Sequence, residues 1–90
     1  MQIFLTKKFI KESKLLPLAK KEKLAELIEI LQNNPYHPKL HTKKLSAPLL
    51  GVLSFRIGKE YRVLFIFEDK DTIKLIRVKH RKDIYKNPKK

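Results

Sequence analysis

Leu53-Ser54-Phe55-Arg56-Ile57-Gly58-Lys59-Glu60-Tyr61-Arg62-Val63-Leu64-Phe65-Ile66-Phe67 is the stretch on which the fold turns. Leu53, Phe55 and Ile57 alternate with Ser54 and Arg56, the period of a strand with one buried face. After Gly58-Lys59-Glu60 comes a run, Tyr61–Phe67, that is apolar on both faces and reads as a central strand. Two turns can join the pair. A two-residue turn at Gly58-Lys59, with Gly first, pairs Arg56 with Tyr61. A three-residue loop over 58–60 pairs Ile57 with Tyr61 and Arg56 with Arg62. Only the second aligns Leu53/Phe55/Ile57 with Tyr61/Val63/Phe65/Phe67 on one core face. A one-residue slip turns every side chain over, so the hydrophobic pattern selects the longer loop. Two arginines then stand side by side on the other face. Directly opposed cations repel, which makes an anion between them the natural inference.

Working outward, Glu68-Asp69-Lys70-Asp71 reads as a turn, Thr72–Lys79 as a third strand, and Asp83–Tyr85 as a short helix or turn. Towards the N-terminus, residues 2–5 read as a strand and Thr6 as a helix cap. Residues 7–16 form a short helix with Phe9, Ile10, Leu15 and Leu16 as its apolar positions. Pro17 ends that helix or opens the next at its first turn, where a missing N–H is harmless. In 18–32, Leu24, Leu27, Ile28 and Leu31 fall at i, i+3, i+4 and i+7, with Lys23 placed to meet Glu26 on the outer face. Asn33-Asn34-Pro35 stops it, and 35–48 reads as a loop. The predicted fold is α+β in the order β-α-α-β-β-β, a helical hairpin packed on one face of an antiparallel sheet, because neither layer can bury its apolar side alone. Residues 1–85 make one domain, and 86–90 a basic, frayed tail.

The 90 residues contain no cysteine, which excludes disulfides, Cys-ligated zinc, iron–sulfur clusters and thiol nucleophiles together. Three histidines without HxxxH or HxH spacing argue against a metal site, and no cofactor motif is present. No apolar run approaches the ~18–20 residues of a membrane span, and the start lacks the order of a signal peptide, which points to a cytoplasmic protein without membrane partners. An apolar fraction of 42% suffices for a folded domain.

Charge narrows the partner. Lys and Arg number 22 against 9 Asp and Glu, a net charge of +13, beyond the magnitude of about 2–8 that suits a small domain. The charges are also segregated. No acid lies between Glu29 and Glu60, where Lys39, Lys43, Lys44, Arg56 and Lys59 fall, and from Arg77 onward seven bases face Asp83 alone. Such a distribution suits a polyanion, either nucleic acid or an acidic protein.

Several short motifs recur in a known order: Phe9-Ile10-Lys11, Leu15-Leu16-Pro17, Asn34-Pro35, Lys44-Leu45, Ser54-Phe55-Arg56-Ile57, Glu60-Tyr61-Arg62-Val63-Leu64-Phe65 and Val78-Lys79-His80-Arg81-Lys82-Asp83-Ile84-Tyr85. Together they resemble the RelE/ParE superfamily of small toxins, most of all the RelE-type mRNA interferases of type II toxin–antitoxin systems. The resemblance covers the chain up to Tyr85. It implies a toxin that cuts mRNA in the ribosomal A site by attack of a 2′-OH on the adjacent phosphodiester, without metal or cofactor. It also implies an acidic antitoxin that holds the toxin in a hetero-oligomer, the free toxin being monomeric.

That chemistry needs a proton acceptor for the 2′-OH, cations for charge building on phosphorus, and an acid for the leaving oxygen. Arg56, Arg62 and Arg81 suit phosphate, since the guanidinium fork donates two parallel hydrogen bonds and never loses its charge. Arg62 matches the family's sheet arginine, and Arg56 the basic residue of the preceding strand. His80 titrates near neutrality and can serve as acid or base. Tyr85 resembles the family's C-terminal tyrosine, able to stack on a base or move a proton, and reads equally well as an anchor on the sheet. Either His80 or Arg81 takes the family arginine position. Lys39, Lys43, Lys44, Lys79 and Lys82 fit contacts to mRNA and ribosomal RNA backbone. Two other functions fit the same residues: a ParE-like inhibitor of DNA gyrase and a non-catalytic nucleic-acid-binding module.

Overall fold

A computed structural model of the chain describes residues 1–85; the expected tail, 86–90, lies outside them. β1 (Gln2–Leu5) leads through Thr6 into α1 (Lys7–Ser13), and α2 (Leu18–Asn33) follows Pro17. A 3-10 turn (Pro38–Leu40) precedes β2 (Lys43–Lys44), β3 (Leu53–Ile57), β4 (Tyr61–Asp69) and β5 (Thr72–His80). The five strands form one sheet in the order β1-β5-β4-β3-β2. It is mixed rather than wholly antiparallel, because β1 runs parallel to β5. The α-helical connection between β1 and the sheet's C-terminal half allows that parallel pairing, which a hairpin could not. β2 was expected as loop; a two-residue strand of lysines carries no periodicity to read.

The helices start as the sequence predicts. The Thr6 hydroxyl accepts from Phe9 N at 3.1 Å, and Pro17 stands just before α2, its carbonyl accepting from Lys20 and Lys21 N. Helix α1 ends earlier than expected, at Ser13, leaving Leu15 exposed while Leu16 is buried. Leu24, Leu27 and Leu31 of α2 are buried against Leu53, Phe55 and Ile57 of β3 and Val63 and Phe65 of β4. Lys23 meets Glu26 at 3.7 Å. The β3–β4 register is Arg56 opposite Arg62 and Ile57 opposite Tyr61, as the hydrophobic pattern requires.

One departure reshapes β5. Ile73 and Leu75 point into the core, and strict alternation would send Arg77 after them. Instead Leu64 pairs with Arg77 and Phe65 with Leu75, which leaves Ile76 as an extra residue. This bulge reverses the alternation, so Val78 enters the core and Arg77 leaves it. Beyond Leu75 the outer edge of β5 has lost β1, and α1 covers it. Thr6 N donates to Leu75 O and the Thr6 hydroxyl to Ile76 O, each at 3.1 Å. The buried Glu12 carboxylate accepts from Val78 N at 3.1 Å and from Arg77 Nη2 at 2.8 Å. The acid thus satisfies an edge N–H and a partly buried guanidinium together.

Glu12→Ala is expected to cost about 3 kcal/mol, since it strands both donors. Glu12→Gln keeps an acceptor for Val78 N and should cost less. Thermal melts of the two variants check this; equal melting temperatures for Glu12→Ala and the parent would show that the pair contributes nothing.

Candidate functional site

On the sheet face away from the helices, β3, β4 and β5 present a row of cations. Arg56 stands opposite Arg62, and Arg62 opposite Lys79. Adjacent strands lie about 4.8 Å apart, so the three charges form a ladder across the sheet. None of the ion pairs among the described residues involves Arg56, Arg62 or Arg81. The Arg62 guanidinium is held instead by backbone, Nη1 donating to Lys59 O at 3.0 Å and to Tyr61 O at 3.3 Å. Burial, and then the Arg56 charge, push the Arg62 pKa below the usual arginine value; nearby Tyr85 acts the other way and Arg81 adds to the lowering. The Arg56 Nε is buried and has no hydrogen-bond partner. A buried donor left unpaired beside a like charge is an unusual expense for a fold.

The C-terminal turn completes the cluster. Arg81 N donates to Glu60 O at 2.6 Å, fastening the turn to the β3–β4 loop. Asp83 N and Ile84 N both donate to His80 O, which bends the chain back over the sheet. Ile84 is buried and lines a groove with Leu64, so it is the anchor, while Tyr85 stays half exposed within electrostatic reach of Arg62. Beside the ladder this groove of about 860 Å³ is floored by Leu49, Val52, Leu64 and Ile84 and flanked by Lys43 and Lys44.

Of the residues singled out in the sequence, the structure brings together Arg56, Arg62, Lys79, Arg81 and Tyr85. His80 is not among them. It stands opposite Tyr61, on the helix-facing side, with ring centroids 5.4 Å apart, and its Nδ1 accepts from Lys82 N at 3.1 Å. Lys82 is exposed on the same turn. Lys43 and Lys44 lie on the edge strand β2, opposite Ser54 and Leu53 and flanking the groove beside the ladder, and Lys39 lies on the 3-10 turn against α2 and β3. The groove wall and the Ile84 anchor escaped the sequence reading, because residues that serve a second, smaller apolar surface look like ordinary core.

A two-helix layer on a five-stranded mixed sheet is the architecture of RelE-like toxins. A family model for the ParE toxin of the type II toxin–antitoxin system parDE matches residues 3–85, and the chain belongs to that family. Among solved structures, the RelB–RelE antitoxin–toxin complex from Methanococcus jannaschii is similar at 31% identity and a TM-score of 0.74, over 91% of this chain and 94% of that one. The archaeal RelE–RelB complex from Pyrococcus horikoshii OT3 follows at 28% identity and a TM-score of 0.74, over 89% and 93%. YafQ from E. coli shares the fold at 18% identity, with a TM-score of 0.79 over 94% and 98%. No curated protein sequence matches the chain.

Replacing Arg56 by Met, which keeps the stem and drops the unpaired donor and its repulsion with Arg62, is expected to stabilise the fold by about 1 kcal/mol. For a domain of this size that is a rise in Tm of about 4–8 °C. A fall in Tm of that size would mean that Arg56 is a structural residue.

Proposed function

We propose that this toxin is a metal-independent endoribonuclease that cuts mRNA in the ribosomal A site. The reading rests above all on the Arg56–Arg62 pair: two opposed, half-buried guanidinium groups with no carboxylate partner among the described residues. A phosphodiester between them would accept forked hydrogen bonds from both and relieve their repulsion. The RNA supplies its own nucleophile. The 2′-oxygen forms a bond to phosphorus as the bond to the 5′-oxygen breaks, leaving a 2′,3′-cyclic phosphate and a 5′-OH. One proton leaves the 2′-OH and one arrives on the 5′-oxygen. Arg56, Arg62 and Arg81 stabilise the charge that grows on phosphorus, an effect that peaks in the transition state. Tyr85 is the proton-handling group on this face, and Lys79 holds the RNA backbone beside it. His80, on the opposite face, takes no part in the chemistry in this reading.

The physiological partner is an acidic antitoxin. The net charge of +13 supports it, as do the RelB–RelE complexes among the similar structures. Opposite charge would make the association fast and salt-sensitive in rate. The pair meets in the cytoplasm, where translating ribosomes are. A second reading, inhibition of DNA gyrase, is favoured by the parDE family match.

Arg62→Ala is expected to slow single-turnover cleavage of ribosome-bound mRNA about a hundred- to thousand-fold, the loss of about 2.7–4 kcal/mol typical of such a donor. Ribosome affinity, spread over many lysines, should fall only modestly. Arg62→Lys should recover little, because an ammonium lacks the fork. Cleavage near the parent rate would remove the clamp. Loss of plasmid supercoiling with intact mRNA would instead favour the gyrase reading.

A further inference from the structure

A second cationic site lies at the end of the ladder. The row Arg56–Arg62–Lys79 runs towards the outer edge of β5, where α1 takes over from β1. There a cleft of about 560 Å³ is lined by Lys7, Lys8, Lys11, Glu12, Arg77 and Lys79. Lys79 belongs to both features and joins them.

The cleft is more cationic than its composition suggests. Its one acid, Glu12, is already engaged by Arg77 Nη2 at 2.8 Å and by Val78 N at 3.1 Å, and Lys79 Nζ is 4.0 Å away. Lys7, Lys8 and Lys11 are exposed and form no ion pair among the described residues. Lys7 and Lys8 also open α1, whose first turn contains no acid. Cations there oppose the helix dipole, and Lys11, in the last turn, stands at i+4 from Lys7 and i+3 from Lys8, so the three like charges crowd one face. Asp or Glu at positions 7 and 8 would suit the dipole instead. Local choices that work against stability and cluster in one cleft point to function.

We propose that Lys7, Lys8 and Lys11, with Lys79, bind the phosphodiester backbone of RNA and set its path across the strands, from the arginine pair over the β5 edge to α1. This rests on the nuclease reading for the ladder end, but the cleft itself is defined by binding. Two RNAs offer the same chemistry: the strand to be cut and the ribosomal RNA beside it.

The test compares the parent with a Lys7→Ala/Lys8→Ala/Lys11→Ala variant. One arm measures binding of a short single-stranded RNA whose 2′-deoxy residue at the cut site prevents cleavage. The other measures binding to ribosomes carrying that RNA. Three lost phosphate contacts should make the log K against log salt slope shallower by about 2, so the parent's advantage shrinks about twentyfold between 50 and 200 mM salt. The corresponding Lys→Arg triple variant should keep the parent slope. Removing Lys21, Lys23 and Lys70 instead, for the same change in net charge, should leave it nearly intact. A change in both arms assigns the cleft to the cut strand, and a change in the ribosome arm alone to ribosomal RNA. Unchanged slopes in both arms overturn the proposal. So does unchanged RNA binding with weakened binding of poly-glutamate, which would make the cleft a surface for an acidic protein. A parent that binds RNA with the full slope yet cuts none would sink the nuclease reading while leaving the cleft standing.

Discussion

The register between β3 and β4 is the constraint from which most of the structure follows. With three residues in the turn, Ile57 meets Tyr61, and Phe55 and Val63 close the core under α2. The same register sets Arg56 against Arg62 on the far face. Core and site are therefore two sides of one decision, because side chains alternate with a period of two. A shift by one residue would bury the arginines and expose the phenylalanines. The repulsion between the two cations is small against the burial of that apolar set, at roughly 25 cal/mol per Å², so the fold tolerates it.

The α1 side of the molecule is organised by polar groups. Ile76 bulges out of β5, Arg77 turns away from the core, and Glu12 reaches across 65 residues of sequence to receive it. The carboxylate and Thr6 together satisfy the part of the β5 edge that β1 does not reach. An edge closed this way offers no template for a further strand. Among the described residues it also leaves Lys7, Lys8 and Lys11 without an acid to pair with.

Compensation is missing at the proposed phosphate sites. Arg56 keeps a buried donor unpaired, Arg62 is charged despite burial and a cationic neighbour, and the first turn of α1 opposes its own dipole. Stability–activity trade-offs of this kind are expected where a site must be complementary to a ligand that is absent in the free protein. Membership of a toxin family gives the net charge of +13 a context, since an acidic antitoxin of the kind proposed would neutralise it.

Much of the fold was legible in the chain. The period of two over 53–67, the helical stripe of Leu24, Leu27 and Leu31, the start of α2 after Pro17 and its stop at Asn34 are local signals with local causes. So is the opposition of Arg56 and Arg62, since only one register buries the apolar face. The parallel pairing of β1, the early end of α1 at Ser13, the tiny β2, the bulge at Ile76 and the role of Glu12 were not legible, because each depends on tertiary contacts. His80 shows the difference most plainly. Its neighbours in sequence, Lys79 and Arg81, are drawn to the ladder and its turn, yet alternation places its ring with Tyr61 on the opposite side. Composition and spacing by themselves determined which residue types can hold a phosphate. Which of them share a face was decided by strand pairing, through contacts between residues far apart in the chain.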